Sequence, residues 1–530
     1  AVEILNRGNR QEDHRVGVAM RFGSSDEAKR CAKALLYAKD IRTRFPDKVR
    51  DEAKKFEGAE VSEKDCEGRM DLRALPIFTI DSAETKDIDD AISLTRTPEG
   101  GFELGVHIAD VSNYVKPGSE LNEEAFNRAT SVYYADQVVP MLPKSLSNGI
   151  CSLNEKELRL AFSCLMRLDK DGNLTDYRFV KSVICSRVKG VYSEINALLA
   201  GTADAEIQAK YAEVLDQLPA MKELYGHRAR LRTERGCIDF ESGEVKLILD
   251  EDGHCIDVKK RTSGESESMI EEFMLLANRT VAEFIGKSKN KTKKTFVYRI
   301  HEQPDPEKLR DFSAFISRFG YKMRTEGTKT DISKGINKLL DSVQGKPEEN
   351  LVETLAIRSM QKAHYTTDNI GHYGLAMDYY THFTSPIRRY PDMMVHRLLE
   401  RYLAGGRSVI KNKYEEYCKH CSEMEMVASN AERSSIKYKQ VEFMKDKLGQ
   451  VFDGVVSGVT EWGLYVELND NKCEGLVPIR DLDDDYYEFD DKNYCLLGRR
   501  TKRIYRLGDA ITVKVAQANL ERKQLDFALV

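Results

Sequence analysis

Five carboxylates fall within ten residues of the chain, in a stretch with apolar residues on both sides. They belong to Asp81, Glu84, Asp87, Asp89 and Asp90. Two carboxylates about 4 Å apart repel by roughly 4 kcal/mol at an effective dielectric constant of about 20, so this crowding indicates a cation between them. Oxygen ligands suit a hard divalent ion such as Mg²⁺ or Mn²⁺. The stretch therefore predicts a metal site. A solvated acidic turn is the alternative, because Asp also favours turns for local reasons.

Strands on either side of the acidic stretch are expected to hold it in place. The run before Asp81 is rich in β-branched and aromatic residues, which predicts a strand that ends there. If the chain from Asp87 to Asp89 is extended, these two side chains share one face and Asp90 points to the other. A turn between Asp81 and Asp87 would then bring Asp81 beside them.

A second candidate group is the segment Ser385-Pro386-Ile387-Arg388-Arg389. Ser385 followed by Pro386 predicts an N-cap and a proline in the first turn of a helix. The two arginines would then stand at a helix N-terminus, where the dipole disfavours cations. Backbone N–H groups at such a terminus also attract phosphate. The segment therefore indicates an anionic partner.

Two aromatic side chains in the same part of the sequence have open interpretations. Tyr133 stands beside an irregular, proline-rich loop, where it is either a core residue or a platform on which a base stacks. His107 ends an alternating strand just before Asp110. A single histidine in that position is expected to be a satisfied structural residue rather than a ligand.

Length and composition are typical of a soluble protein with several domains. The chain has 530 residues, of which 41% are hydrophobic and 32% charged, with a net charge of -5. This charge excludes a uniformly basic nucleic-acid binder and permits local basic grooves. The 11 scattered cysteines predict a reducing cytoplasm rather than a disulfide framework. The sequence shows no apolar run near the roughly 20 residues that span a bilayer.

The hydrophobic pattern divides the chain into three parts and predicts an α+β protein. Residues 1–70 are polar and predict a helical lead-in. Residues 71–448 predict a mixed α/β domain, with strands followed mainly by helices. Residues 449–530 contain five short alternating strands with glycine-rich turns, which predicts an all-β barrel of the OB-fold type. Trp462 and Tyr465 fall where a barrel face could stack bases, or in its core.

Several segments occur in the order found in a known family. They read TIDSAETKDIDDA, HIADVSNYV, TSVYYADQVVPMLPKSLSNGICSLN, GCIDFES, MIEEFMLLAN and GHYGLAMDYYTHFTSPIRRYPDMMVHRLL. Together they resemble the RNB catalytic domain of the ribonuclease II family. The later segments GQVFDGVVSGVTEWGLYVEL, GLVPIRDL, YRLGDAITVKV and LDFALV resemble the S1 domain that follows it. The resemblance runs from about residue 71 to the end.

This resemblance implies a processive 3'→5' exoribonuclease in RNA turnover, which hydrolyses single-stranded RNA to nucleoside 5'-monophosphates. It implies two Mg²⁺ ions, no small-molecule cofactor and no membrane, and we expect a monomer acting on RNA with a free 3' end. The metal ligands would be Asp81, Asp87, Asp89 and Asp90, and the catalytic residues would be Asp89 and Arg388. With the candidates above, the expected RNA contacts are Tyr133, Arg388, Arg389, Glu432, Trp462 and Tyr465.

The sequence departs from the family pattern in three places and leaves two other functions open. No cold-shock barrels are visible before the catalytic domain, and no basic tail is visible after the S1 domain. Glu267 stands where the family often has a histidine. One alternative is an RNA-binding protein on an RNB scaffold that has lost catalysis, which retention of the four aspartates and Arg388 argues against. The other is a two-metal nuclease acting on DNA, which the 2'-hydroxyl would distinguish.

Overall fold

The computed structural model describes residues 2–6, 15–24, 27–134, 137–238, 245–287, 293–346, 348–491 and 493–530. Parts of two motifs, residues 135–136 and 239–242, lie outside the described residues. The described helices are α1 (Ala28–Ala38), α2 (Asp47–Ala53), α3 (Glu63–Cys66), α4 (Val111–Tyr114), α5 (Glu120–Arg128), α6 (Tyr192–Ala200), α7 (Ala205–Lys210), α8 (Leu218–Arg235), α9 (Glu265–Gly286), α10 (Pro306–Ile316), α11 (Lys329–Val343), α12 (Glu349–Ser359), α13 (Tyr390–Leu403) and α14 (Lys411–Lys445).

The described strands follow the predicted order of a mixed domain and then a barrel. They are β1 (Val2–Asn6), β2 (Arg15–Val18), β3 (Met70–Asp71), β4 (Thr79–Asp81), β5 (Asp90–Arg96), β6 (Phe102–Ala109), β7 (Val132–Tyr134), β8 (Gln137–Val139), β9 (Leu158–Leu168), β10 (Leu174–Cys185), β11 (Lys189–Val191), β12 (Val245–Leu249), β13 (Cys255–Lys260), β14 (Tyr298–Ile300), β15 (His364–Thr366), β16 (Val451–Thr460), β17 (Gly463–Leu468), β18 (Glu474–Pro478), β19 (Tyr487–Asp490), β20 (Cys495–Gly498), β21 (Ile504–Arg506), β22 (Ala510–Asn519) and β23 (Gln524–Leu529).

A five-stranded sheet in the order β3-β10-β9-β6-β5 forms the centre of the first domain. Its register places Asp90 opposite Ile108, and Ile108 opposite Phe162. Helices α9 and α13 pack on the face that carries Phe162. The His396 ring of α13 lies 5.5 Å from the ring of Phe162, and the Thr280 hydroxyl of α9 contacts the Met166 sulfur at 3.7 Å. The acidic stretch therefore leads into β5, the edge strand of a buried sheet, and its last residue, Asp90, is the first residue of that strand.

His107 lies inside this sheet and is fully buried. Its Nε2 is 3.0 Å from the Ser93 hydroxyl and its Nδ1 is 2.7 Å from the Ser163 hydroxyl. Burial lowers the pKa of the imidazole to about 3, so the ring is neutral at physiological pH. A neutral ring held by two hydroxyls matches the structural role that the sequence indicates for His107.

The helical prediction for residues 1–70 is wrong at the start of the chain. Strands β1 and β2 form an antiparallel hairpin there, with Val2 opposite Val18. Val2 and Ile4 on one strand, and Val16 and Val18 on the other, repeat at the two-residue period of a strand. Many polar neighbours obscure that period in the sequence. Further along, the predicted helical character is present in α1, α2 and α3.

The C-terminal region forms the predicted barrel, closed in the order β16-β17-β18-β23-β22. Gly463 begins β17 at φ +141°, and a Cβ there would lie 2.1 Å from the Val477 carbonyl oxygen. Only glycine fits this close approach of two barrel strands. The three-stranded sheet β19-β20-β21 is inserted between β18 and β22. The sequence analysis missed it, because its strands are only three or four residues long.

Helix α14 joins the two domains through a shared apolar core. Val441 and Met444 near its end are fully buried, in one cluster with Val513 and Phe527 of the barrel. The same cluster includes Leu36 of α1. The barrel is therefore packed onto α14 rather than attached by a free linker. Among the described helices, none is long and apolar enough to cross a membrane.

A buried ion-pair network fastens the end of the lead-in to the sheet. Asp110 is fully buried and accepts from Arg69 and Lys181, each at 2.8 Å. Burial alone would raise the pKa of the Asp110 carboxyl, but Lys181 and Arg69 outweigh it and hold the pKa at about 2. Removing one partner of a buried pair leaves uncompensated charge. The network therefore stabilises the fold at neutral pH.

We predict that Asp110→Asn lowers the unfolding free energy at pH 7 by about 3–5 kcal/mol, because buried Arg69 loses its counter-charge and Lys181 keeps only Glu400, at 3.2 Å. The folded-state pKa lies below the unfolded one, so the wild-type advantage is present above about pH 4 and is lost as the pH falls towards 2. Urea denaturation at pH 7 and at pH 3 measures both effects. Asp171→Asn, in an exposed turn of the same sheet, is the matched control. A variant as stable as wild type at pH 7 would contradict the prediction.

Candidate active site

Two strands deliver the outer members of the acidic cluster. Asp81 is the last residue of β4 and Asp90 is the first residue of β5. Phe78 and Ile92 exchange backbone hydrogen bonds of 3.0 and 2.9 Å, which fixes β4 beside β5. The predicted strand end at Asp81 is confirmed. Glu84, the fifth acid of the stretch, lies exposed in the intervening turn.

The loop before Asp90 is anchored by a serine that the sequence analysis did not single out. The Ser152 hydroxyl accepts from the Ile88 backbone N–H at 3.0 Å and donates to the Lys86 carbonyl at 2.9 Å. Ile88 also accepts from the Leu153 N–H at 3.0 Å. These contacts fix the backbone on both sides of Asp87. The only sequence signal was that Ser152 lies in the motif SNGICSLN.

The four aspartates influence one another, and Asp89 has a further partner. Asp87 and Asp90 both interact electrostatically with Asp81, and Asp89 with Asp90. Asp89 also accepts from the Ile387 N–H at 2.8 Å through Oδ1. Residues 82–89 form no regular strand, and the shared face of Asp87 and Asp89 stays a prediction.

Burial and mutual repulsion raise the pKa values of these carboxyls. Burial raises the pKa of Asp90 to about 7, and Asp81 adds to the effect. Burial also raises the pKa of Asp87, again with a contribution from Asp81. The pKa of Asp89 is raised by burial, against the opposing influence of Arg388. A bound divalent cation would relieve this destabilisation of the charged forms.

The donor set of the cluster fits an open Mg²⁺ site rather than a closed cage. Within the described ranges, no group of three or more carboxylates, histidines and cysteines is placed so that it could hold a metal ion. Mg²⁺ commonly takes only one or two carboxylates and completes its octahedron with waters and substrate phosphates. Asp81, Asp87 and Asp90 provide oxygen donors of that kind.

The arginine segment forms a turn and does not begin a helix. Residues 385–388 are non-helical, and α13 begins at Tyr390 with Pro391 in its first turn. The prediction that Ser385 is the N-cap and Pro386 the first-turn proline is therefore wrong. The Asp392 carboxylate captures the Ser385 N–H at 2.8 Å, which turns the chain before it enters the helix.

Arg389 supports this turn from inside the protein. Its guanidinium makes two hydrogen bonds, of 2.9 and 2.8 Å, to the Asp392 carboxylate. The Arg389 side chain is 16% exposed and that of Asp392 is fully buried. The sequence analysis placed Arg389 among the RNA contacts, whereas the structure engages it in an internal ion pair. The sequence analysis did not identify the role of Asp392, because an aspartate near the start of a helix is common and does not by itself indicate a distinct function.

Arg388 faces the acidic cluster, with Tyr133 nearby. Its Nε lies 3.9 Å from Asp89 Oδ2, and its Nη2 donates to the Ser385 hydroxyl at 3.1 Å. Its backbone carbonyl accepts from the Ser131 N–H at 2.9 Å, two residues before Tyr133. Burial raises the pKa of the Tyr133 phenol, Arg388 lowers it, and Asp87 and Asp89 raise it further. These four side chains therefore share one electrostatic environment.

The remaining predicted site residues lie on other elements. Glu432 is exposed on α14. Trp462, in the turn before β17, is 67% exposed, and Tyr465 on β17 is half-buried. The exposure of Trp462 excludes a core role for it. The structure thus brings together Asp81, Asp87, Asp89, Asp90, Arg388 and Tyr133, and places the two barrel aromatics on the neighbouring domain.

We predict that Asp392→Asn destabilises the protein by about 3–5 kcal/mol, the cost of leaving a buried cation without its partner. Because Asp392 also holds the Ser385 N–H, the turn should loosen and Arg388 should lose its fixed position. Thermal unfolding measures the first effect. Hydrogen exchange of residues 385–390 measures the second. Asp368→Asn, 70% exposed, is the control. Unchanged exchange in a destabilised Asp392→Asn protein would contradict the positioning role.

Comparisons with known proteins identify two domain families in this chain. A family model described as the RNB domain matches residues 69–405, and one described as the S1 RNA binding domain matches residues 445–529. Our domain boundaries at 70/71 and 448/449 stay predictions. Ribonuclease R of Thermotoga maritima is 43% identical over 495 residues, which are 92% of this chain and 68% of that protein.

Two further relatives extend the comparison. Ribonuclease R 1 of Lactococcus lactis is 41% identical over 96% of this chain, but the chain spans only 61% of that protein. The structure of Mycoplasma genitalium RNase R in complex with ribose-methylated single-stranded RNA is 28% identical, with a TM-score of 0.91 over 100% of this chain and 82% of that one. With the RNB model covering well over half of its length, the chain belongs to the RNB-domain family of ribonucleases, in its ribonuclease R branch.

Proposed function

We propose that this chain is a 3'→5' exoribonuclease of RNA degradation, which hydrolyses single-stranded RNA processively to nucleoside 5'-monophosphates. The observation that supports it most strongly is the meeting of two distant segments. Asp89 from the acidic stretch accepts a hydrogen bond from Ile387 and faces Arg388. This arrangement joins an acidic cluster to a cation at the point where a phosphate would react. Family membership and the likeness to an RNase R–RNA complex support the same activity.

Each residue of the site has a distinct part in this proposal. Asp81, Asp87 and Asp90 would hold Mg²⁺, or Mn²⁺, with Asp89 assisting at a second ion. When bound, such ions polarise the phosphate and lower the pKa of a water molecule. The Arg388 guanidinium donates to a phosphate oxygen as negative charge develops there.

The single-stranded substrate is held by the stacking of its bases on aromatic side chains. The half-buried Tyr133 stacks on the terminal base, a contact that tolerates any sequence. Trp462 and Tyr465 on the barrel offer further stacking surfaces for the incoming strand, and Glu432 lies on the helix that joins the two domains. We propose that the protein acts as a monomer in the cytoplasm, without a small-molecule cofactor.

One cleavage experiment separates this function from its rivals. RNA labelled at the 5' end and RNA labelled at the 3' end are incubated with the protein in Mg²⁺ or in EDTA, beside a DNA of the same sequence. In Mg²⁺ we expect 5'-labelled RNA to shorten progressively from its 3' end. We expect 3'-labelled RNA to release labelled mononucleotide at the start of the reaction. Neither product should form in EDTA. Binding without cleavage would indicate an inactive RNB scaffold. Equal turnover of the DNA would contradict recognition of the 2'-hydroxyl.

We predict that Arg388→Ala lowers the single-turnover cleavage rate by about 100-fold or more, the usual effect of removing one donor to a developing oxyanion. RNA affinity should change much less, because the contact strengthens in the transition state. Filter binding in EDTA and rapid-quench kinetics in Mg²⁺ measure the two quantities. Arg167→Ala, an arginine 51% exposed on the central sheet, should leave both unchanged. A loss confined to affinity would make Arg388 a binding residue.

A further inference from the structure

A cavity of about 440 Å³ opens at the opposite end of the central sheet from the acidic cluster. It lies between α8, α9 and the start of β10, where Leu174 pairs with Leu168. Phe162 lies at the acidic end of the sheet, because it pairs with Ile108, which in turn pairs with Asp90. It precedes Leu168 by six residues on the same strand. At about 3.4 Å per residue the two ends are roughly 20 Å apart. The cavity is therefore separate from the proposed active site.

Three arginines line this cavity, and we call it the arginine cavity. They are Arg228 and Arg235 from α8 and Arg279 from α9. Arg228 is only 4% exposed and donates from Nη1 to the Gly172 carbonyl at 3.1 Å. Arg235 donates from Nε to the Leu375 carbonyl at 3.3 Å. The guanidinium groups of Arg228 and Arg235 thus each have one backbone partner that fixes their orientation.

The same two side chains also carry buried donors that bond to nothing in the described part of the chain. These are Nε of Arg228 and Nη2 of Arg235. A buried donor without an acceptor costs about 1–3 kcal/mol, and more when the group is charged. Native proteins satisfy nearly all such groups. Two of them on cationic side chains in one cavity indicate an acceptor that is not part of the polypeptide.

The nearby carboxylates do not neutralise these arginines. Glu283 pairs with Arg279 at 2.8 Å and also with Lys287, while Glu272 pairs with Arg232 at 3.1 Å. Among the described residues, no carboxylate lies within ion-pair distance of Arg228 or Arg235. Burial lowers the pKa of the Arg228 guanidinium to about 10; Glu272 counteracts this, and Arg235 and Arg279 add to it. The cavity therefore holds an excess of desolvated positive charge.

We propose that the arginine cavity binds a phosphate dianion, either free or as the phosphate of a nucleoside monophosphate. Planar guanidinium groups match phosphate oxygens in geometry and charge. A dianion offers one charge to each of the two arginines that lack a carboxylate. Tyr177 lines the same cavity and is 36% exposed, so its ring is available to a base. The site goes beyond the proposed cleavage activity and does not depend on it.

The test measures ligand binding without RNA or divalent cations, so that its outcome is independent of exonuclease activity. The full chain is titrated with inorganic phosphate and with AMP in EDTA, by calorimetry and by the shift in melting temperature. We expect saturable binding with one site per chain. Tighter binding of AMP identifies a nucleotide site, and equal affinities identify a site for the phosphate group alone. Failure of both ligands to saturate or to raise the melting temperature would overturn the proposal.

Two variants and two controls assign the binding to this cavity. Arg228→Gln with Arg235→Gln should weaken binding by at least about tenfold, since each lost bond is to a charged group. Arg235→Gln alone, at a half-buried position, gives the same direction if the double variant does not fold. Arg230→Gln removes an arginine of α8 that is 53% exposed and should leave affinity within about twofold. Arg388→Ala should also leave it unchanged. Equal losses in Arg388→Ala and Arg235→Gln, or none in Arg235→Gln, would overturn the assignment.

Discussion

The candidate site depends on one buried carboxylate. Asp89 is 5% exposed, accepts from the Ile387 N–H at 2.8 Å and faces Arg388 at 3.9 Å. A buried charge without partners would cost several kcal/mol, so folding favours the arrangement in which these two segments meet. The segments are almost three hundred residues apart in sequence. This contact therefore sets the position of Arg388 relative to Asp81, Asp87 and Asp90.

The surrounding structure holds each side of that contact separately. Ser152 fixes the backbone of the acidic loop through two hydrogen bonds. Asp392 fixes the arginine turn by binding the Ser385 N–H and the Arg389 guanidinium. Neither residue belongs to the proposed reaction, yet both restrict the freedom of those that do. Because these groups are already in position, no free energy is needed to reorganise them when the substrate binds.

Features set by local periodicity could be predicted from the sequence, whereas features set by a distant partner could not. The strand end at Asp81 follows from the β-branched and aromatic residues before it, and the five-stranded barrel follows from alternation of apolar residues. Both are confirmed. The turn at Ser385 was missed because a Ser-Pro pair favours a helix start, and only Asp392 reverses that preference. The contact between Asp89 and Ile387 was missed for the same kind of reason. A strand pattern gives the faces of a regular strand, but it carries no information about a hydrogen bond from a residue almost three hundred positions away.

The two groups of charges on the central sheet illustrate opposite solutions to burial. At one end, Asp81, Asp87 and Asp90 repel one another, with Arg388 as a partial counter-charge. At the other end, Arg228 and Arg235 are cationic, and the carboxylates nearest to them are engaged elsewhere. Charges left unbalanced inside a protein are retained only where something outside the polypeptide balances them or where the fold compensates the cost. For the acidic end, the proposed balancing groups are divalent cations, and the substrate phosphate would then pair with those cations and with Arg388. In our proposal an anion balances the arginine end, and the two unsatisfied guanidinium donors are the groups that bind it.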